Sequence, residues 1–186
     1  MRIIGGDAKG KPVLFPRKSK ARPTSDRVKE SLFNILSPLQ GKTFLDVFAG
    51  SGNVGLEALS RGAKYAVFIE REIMLANFIR RNLLQCRFEG NCKILNMEMA
   101  KAIPFLRKKE ERFDIVFADP PYGAGLVEET CRYFGDGRLF TEEGILVIQH
   151  DLREEPARAA AGPLVLFDQR RFGDTLLSFL NYQKGN

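Results

Sequence analysis

Asp119-Pro120-Pro121-Tyr122 is the stretch of this 186-residue chain with the most definite chemical content. It follows the apolar run Phe113–Ala118, which reads as a strand, and open α/β sheets bind ligands beyond the carboxyl ends of their strands. An amino nitrogen on an aromatic base is a poor nucleophile, because its lone pair is delocalised into the ring. It becomes competent when acceptors hold its N–H groups and the nitrogen faces an electrophile in line. The Asp119 carboxylate and the Pro120 carbonyl are candidate acceptors, and two prolines fix the backbone that carries them. Tyr122 offers a face for an extruded base, since enzymes acting on bases first remove them from the stack. Asp119, Pro120 and Tyr122 are therefore the candidate catalytic residues for transfer to a base amino group. The competing reading is a proline-stabilised turn with a core tyrosine.

A second segment, Asp46-Val47-Phe48-Ala49-Gly50-Ser51-Gly52-Asn53-Val54-Gly55, closes an apolar strand and opens a helix. Gly50-x-Gly52-x-x-Gly55 matches the dinucleotide fingerprint, with Glu70 about 20 residues on. On spacing alone a nicotinamide or flavin enzyme fits equally well. Asp46 separates the two readings. A carboxylate ending the first strand faces a pyrophosphate unfavourably and suits a cationic cofactor; S-adenosyl-L-methionine carries both a sulfonium and an ammonium. Glu70 can accept hydrogen bonds from ribose hydroxyls. The plainer alternatives are an Asp46 that only caps locally and a Glu70 that is a solvated surface acid. The candidate cofactor residues here are Asp46, Phe48, Ala49, Gly50, Ser51, Gly52, Asn53, Glu70 and Arg71.

These residues need elements to hold them. From Thr43 the chain alternates short apolar runs with helical patterns: strands at Thr43–Phe48, Tyr65–Ile69, Ile94–Leu95, Phe113–Ala118 and Ile145–Ile148, and helices at Asn53–Arg61, around Leu75, Ile79 and Leu83, at Met99–Lys108 and at Leu126–Phe134. Pro104 interrupts the third of these helices. Leu164–Phe167 and Thr175–Tyr182 read as two closing strands in a hairpin. This order argues for an α/β domain with a mainly parallel sheet. Ahead of it, residues 1–16 read as a small β-hairpin and 17–23 as a mobile loop. Thr24 or Ser25 caps a helix whose apolar face is Val28, Leu32, Ile35 and Leu36, stopped at Ser37-Pro38. The expected domains are 1–40, an N-terminal hairpin, basic loop and helix, and 41–186.

The formal net charge is +6, and the basic residues crowd the start: Arg2, Lys9, Lys11, Arg17, Lys18, Lys20, Arg22, Arg27 and Lys29, against only Asp7 and Asp26. A basic arm next to a base-modifying site points to a nucleic acid; alone it would be a solvated surface. Arg17, Lys18, Lys20, Arg22, Thr24 and Arg27 are the candidate substrate-binding residues. Cys86, Cys92 and Cys131 form no CxxC pair, so no metal and no disulfide are expected. No apolar run approaches the roughly 18 residues that span a bilayer, and no signal-peptide pattern is present, which leads to the expectation of a cytoplasmic, monomeric protein.

Four segments together resemble one family. Arg2-Ile3-Ile4-Gly5-Gly6, Arg22–Asn34, Asp46–Gly52 with Gly55–Gly62, and Asp119–Tyr122 are similar to the bacterial ribosomal RNA small-subunit methyltransferase D family, which methylates guanine N2 in 16S rRNA. The resemblance implies a Rossmann-like, seven-stranded S-adenosylmethionine-dependent methyltransferase fold with an N-terminal hairpin extension and a basic loop facing RNA. It implies that Asp46 and the glycine loop hold the methionine part, Glu70 the ribose, and Glu98 and Met99 the adenine. Here Met97-Glu98-Met99 stands where the family usually has Asp-Ala, and Gln149-His150 where it often has an acid. His150, the single histidine, is expected to be structural. The implied partner is 16S rRNA in the assembling or assembled small subunit. The alternatives are adenine-N6 methylation of DNA, for which 186 residues leave little room for a target-recognition region; a nicotinamide oxidoreductase, which gives Asp119–Tyr122 no task; and a non-catalytic RNA-binding assembly factor.

Overall fold

The computed structural model describes residues 1–16, 24–154 and 163–183. Its seven strands belong to one mixed sheet, and the chain divides into two compact units, Met1–Ala102 and Ile103–Asn186.

The first unit begins with an arm that the sequence reads as a hairpin. It pairs antiparallel around the Arg2↔Pro12 bridge, with the Ile3 N–H donating to the Lys11 carbonyl (2.9 Å), the Gly10 N–H to the Ile3 carbonyl (2.8 Å) and the Val13 N–H to the Met1 carbonyl (3.1 Å), a short hairpin without two full strands. Other backbone groups of the arm bond elsewhere. The Ile4 N–H donates to Glu57 Oε2 (2.8 Å), Asp7 N–H to the Ser60 carbonyl (2.8 Å), Ala8 N–H to Ser60 Oγ (2.9 Å) and Leu14 N–H to Asn82 Oδ1 (2.8 Å). The arm is thus a short hairpin that is also stitched to the helices carrying Glu57, Ser60 and Asn82. Helix α1 (Asp26–Leu36) starts at Ser25, whose hydroxyl accepts from the Val28 N–H. Val28, Leu32 and Leu36 are buried as expected, Ile35 only half so, and Lys29 and Phe33 join them.

Strand β1 (Thr43–Val47), helix α2 (Asn53–Ser60), strand β2 (Tyr65–Ile69), helix α3 (Ile73–Cys86), a 3-10 turn at Glu89–Asn91 and strand β3 (Cys92–Leu95) follow. The strands lie in the order β3-β2-β1 and pair in parallel, with Leu45 opposite Val67 and Val67 opposite Lys93. Phe44, Leu45, Val47 and Ala66–Ile69 are all buried, as parallel strands covered on both faces require. Every residue of α2 is buried, and α3 turns Leu75, Ile79 and Leu83 inward.

Helix α4 (Met99–Lys108) carries the chain into the second unit. Pro104 is exposed within it, so the carbonyl its missing N–H leaves unpaired belongs to exposed Ala100 and can be solvated. Strand β4 (Phe113–Ala118), helix α5 (Leu126–Phe134), strand β5 (Phe140–Asp151), strand β6 (Leu164–Phe172) and strand β7 (Thr175–Tyr182) complete the fold in the order β4-β5-β7-β6. The β4 and β5 strands are parallel, whereas β7 runs antiparallel to both β5 and β6. Both β5 and β6 exceed the sequence expectation. The start of β5 carries Thr141, Glu142 and Glu143, which bulge between the Phe113–Phe140 and Ile115–Ile145 pairs, and edge strand β6 carries Asp168–Arg171, polar residues that hide a strand whose backbone is nonetheless paired with β7.

Among the described residues no helix is long and apolar enough to cross a membrane. Cys86, Cys92 and Cys131 are free thiols, and burial pushes Cys131 up to about 12.

Candidate functional site

In the first unit the loop after β1 is built from unusual backbone. Phe48 adopts φ 65°, and Gly52, at the start of α2, adopts φ 84°, a region that most side chains avoid. Two hydrogen bonds shape the turn, from Ala49 N–H to the Ile69 carbonyl (2.9 Å) and from Gly52 N–H to the Ala49 carbonyl (2.8 Å). Asp46 is buried, and its Oδ2 accepts from the Gly55 N–H at 2.9 Å. That approach requires glycine, because a Cβ at position 55 would sit 2.3 Å from the Phe68 ring and 3.1 Å from Asp46 Oδ2.

Glu70 ends β2 and is buried rather than solvated. Its Oε2 accepts from the Gly50 N–H and its Oε1 from the Glu72 N–H, both at 2.8 Å. Burial raises its pKa, and those two hydrogen bonds act in the opposite direction. A carboxylate oxygen has further lone pairs, so each can still accept from a ligand hydroxyl. Asn96 donates to the Glu70 carbonyl (2.8 Å) and to that of Arg71 (3.1 Å), tying the ends of β2 and β3 together. A cavity of about 550 Å³ opens there, lined by Arg71, Glu72, Asn96, Met97, Glu98 and Lys101. Of the residues singled out for a cofactor, Gly50 is thus bonded to Glu70. Arg71 and Glu98 share one cavity wall, and Met99 is buried in the first turn of α4.

Beneath the loop lies a charged cluster that the sequence did not announce. Lys29, counted there with the basic arm, is fully buried. Its Nζ donates to the Arg2 carbonyl (2.6 Å) and to Asn53 Oδ1 (3.0 Å) and lies 3.5 Å from Glu57 and 3.6 Å from Asp26. Burial lowers the Lys29 pKa, and the attraction of Glu57 and Asp26 opposes that. Glu57 also pairs with Arg61 at 2.8 Å. Asn53 in turn donates to the Thr24 carbonyl (3.1 Å), and Asn82 to the carbonyls of Leu14 and Ser51 (3.0 Å each). Two amides thereby fasten both the arm and α1 to the glycine loop. Two signals in the sequence point to this cluster: a lysine spaced with Val28, Leu32 and Leu36, and a glutamate inside an otherwise apolar α2. Of the candidate substrate residues, Thr24 is buried and Arg27 exposed; Arg17, Lys18, Lys20 and Arg22 lie outside the described residues.

In the second unit Asp119, half-buried, follows β4 directly, with Pro120 buried beside it and Tyr122 exposed. The Tyr122 hydroxyl is 3.3 Å from Thr175 Oγ1, and Gly123 N–H donates to Glu154 Oε1 (3.2 Å). Gln149 of β5, one step past the Ala118–Ile148 pair, donates from Nε2 to Asp119 Oδ2 at 3.1 Å. His150 is buried and both ring nitrogens are engaged, Nδ1 with the Asp151 carbonyl (2.9 Å) and Nε2 with Ser178 Oγ (2.8 Å). The carbonyl partner assigns the proton to Nδ1, leaving Nε2 to accept. Desolvation lowers its pKa and favours the neutral ring, whose two nitrogens are both bonded within the fold.

Known proteins sort this arrangement. The model of the family described as "Conserved hypothetical protein 95" matches residues 1–181. Ribosomal RNA small subunit methyltransferase D of Escherichia coli K12 is 39% identical over 82% of this chain and 75% of that protein. A candidate rRNA methyltransferase, YlbH, of Bacillus subtilis strain 168 is 32% identical over 94% of this chain and 95% of its own. Among solved structures, a candidate methyltransferase of Escherichia coli, yhhF, superposes with a TM-score of 0.84 at 33% identity, covering 100% of this chain and 99% of that one.

Proposed function

The chain belongs to the ribosomal RNA small-subunit methyltransferase D family, and from that premise we propose that it transfers a methyl group from S-adenosyl-L-methionine to the exocyclic N2 of a guanine in 16S rRNA. The residues of the first unit suit that cofactor. Asp46 and Glu70 are buried carboxylates at the ends of β1 and β2, chemistry for an ammonium and for ribose hydroxyls respectively. A cavity of about 550 Å³ between Arg71, Met97 and Glu98 lies within the roughly 300–1,000 Å³ typical of small-ligand sites. When bound, the cofactor supplies an electrophilic methyl carbon on a sulfonium.

The observation that carries the reading is the Asp119 carboxylate, fixed by the Gln149 amide at the end of β4 and followed by the buried Pro120. Asp119 and the Pro120 carbonyl accept the two N–H groups of the target amine. As the new N–C bond forms and the C–S bond breaks, the nitrogen turns cationic, and the adjacent carboxylate stabilises that charge and takes one proton. Exposed Tyr122, steadied by Thr175, is placed to stack on the base. The basic segment Arg17–Arg22 and Arg27 supply phosphate contacts, and the acceptor is rRNA in the assembling or assembled small subunit in the cytoplasm.

Asp119→Ala tests the assignment. Methyl transfer should fall by about 10²–10³-fold, the usual effect of losing one charge-stabilising group, with the melting curve and cofactor affinity nearly unchanged. Activity within a few-fold of the parent would remove Asp119 from the chemistry.

A further inference from the structure

Gln149 is only 7% exposed, and its amide is half used. Its Nε2 donates to Asp119 Oδ2 (3.1 Å), whereas its Oε1 is buried with no hydrogen-bond partner. The amide cannot profitably turn over. Turning it would set Oε1 against the Asp119 carboxylate and lose the donation, so the carboxylate dictates which atom faces it. Buried acceptors without donors are uncommon in native structures. Two other unpartnered buried polar atoms occur among the described residues, the donor Arg107 Nε and the acceptor Asn181 Oδ1, but neither belongs to a side chain bonded to the Asp119 segment. An apolar residue would fill the Gln149 position without leaving an orphan. Among the described residues no donor meets this oxygen, and a bound ligand can supply one.

The base chemistry indicates which donor. Guanine presents N1–H immediately beside its 2-amino group, two donors in a row. Adenine presents an N1 lone pair beside its 6-amino group. An acceptor pair formed by the Asp119 carboxylate and Gln149 Oε1 matches the first edge and repels the second. We propose that Gln149 is a specificity-determining residue: Nε2 clamps Asp119, and Oε1 accepts the ring N1–H of the base whose amino group is methylated. This deepens the reading of the site as a guanine-N2 methyltransferase and rests on it.

The probe is 2-aminopurine, which keeps the 2-amino group and has no hydrogen on N1. The target guanine is located by mapping the product in small-subunit RNA, and that position is then replaced by 2-aminopurine in an RNA fragment. The parent enzyme should prefer the guanine fragment by about 10–100-fold in kcat/KM, the loss expected when a buried acceptor goes unpaired. In Gln149→Leu the preference should collapse to about threefold or less, with guanine turnover the more impaired of the two. Gln149→Met provides the same test should the leucine variant melt early. Binding of the two fragments, read without turnover, serves for a variant too slow to assay. A guanine preference undiminished in folded Gln149→Leu or Gln149→Met would overturn the role of Gln149 while leaving the guanine reading intact. A parent enzyme that modifies no guanine in small-subunit RNA would overturn both.

Discussion

Lys29→Met removes a buried charge while keeping an unbranched apolar stem, and the contacts of Nζ set the size of the effect. The Arg2 carbonyl at 2.6 Å and Asn53 Oδ1 at 3.0 Å each lose a donor. Glu57, whose side chain is 0% exposed, loses a cation at 3.5 Å. Asp26, at 47% side-chain exposure, contributes little because water screens it. Removing one partner of a buried ion pair typically costs about 3–5 kcal/mol. Glu57 still keeps the Ile4 N–H and Arg61, which places the expectation at the lower end, about 3 kcal/mol. For a chain of this size that lowers the melting midpoint by roughly 6–12 °C. Urea denaturation gives the free energy directly, and Arg27→Met, an exposed neighbour on the same helix, should change it by less than about 0.5 kcal/mol. Because Asn53 is anchored by Lys29 at the head of α2, affinity for S-adenosylhomocysteine should weaken as well. A loss below about 1 kcal/mol, no larger than that of Arg27→Met, would mean that Nζ reaches water and that Lys29 belongs to the solvated arm after all.

Gly55→Ala should destabilise by about 1–3 kcal/mol, the usual range for overpacking, since its Cβ would meet the Phe68 ring at 2.3 Å. It should also weaken cofactor binding through the displaced Asp46, and calorimetry showing parental affinity and melting would contradict the close approach. The chain has a single histidine, kept neutral in the fold by burial. The unfolded chain takes up that proton below about pH 6.5, so stability should decline as pH falls from there, by at most about 1.4 kcal/mol per pH unit for one proton. His150→Asn should flatten the melting profile between pH 7 and 5.5, and an unaltered slope would assign the dependence to other groups.

Much of the architecture is legible in the sequence because period and punctuation agree. Tyr65–Ile69, Met99–Lys108, Phe113–Ala118 and Leu126–Phe134 have the bounds that their apolar patterns and flanking residues indicate. The reading falls short where the partner rather than the residue type decides. Glu142 and Glu143 look like loop, yet they continue β5 as a bulge between the Phe113–Phe140 and Ile115–Ile145 pairs. The Met1–Pro16 arm pairs with itself as its pattern indicates, but its further backbone bonds to Glu57, Ser60 and Asn82 depend on partners far along the chain. Positions of chemical residues follow directly from the strand ends, as with Asp46, Glu70 and Asp119. Their supports do not, because Lys29, Asn82 and Gln149 act through contacts made far along the chain. Nothing in the residue Gln149 itself indicates that one of its amide atoms is bonded and the other orphaned.

The most direct test of the account offers methyl-labelled S-adenosyl-L-methionine to naked rRNA, assembled small subunits and duplex DNA, followed by digestion to nucleosides. The account predicts label in N2-methylguanosine from small-subunit RNA, none in DNA, and an initial rate of labelling at least about a hundredfold lower with Asp119→Ala. Label in N6-methyladenine, or labelling by Asp119→Ala at a rate within a few-fold of the parent, would contradict it.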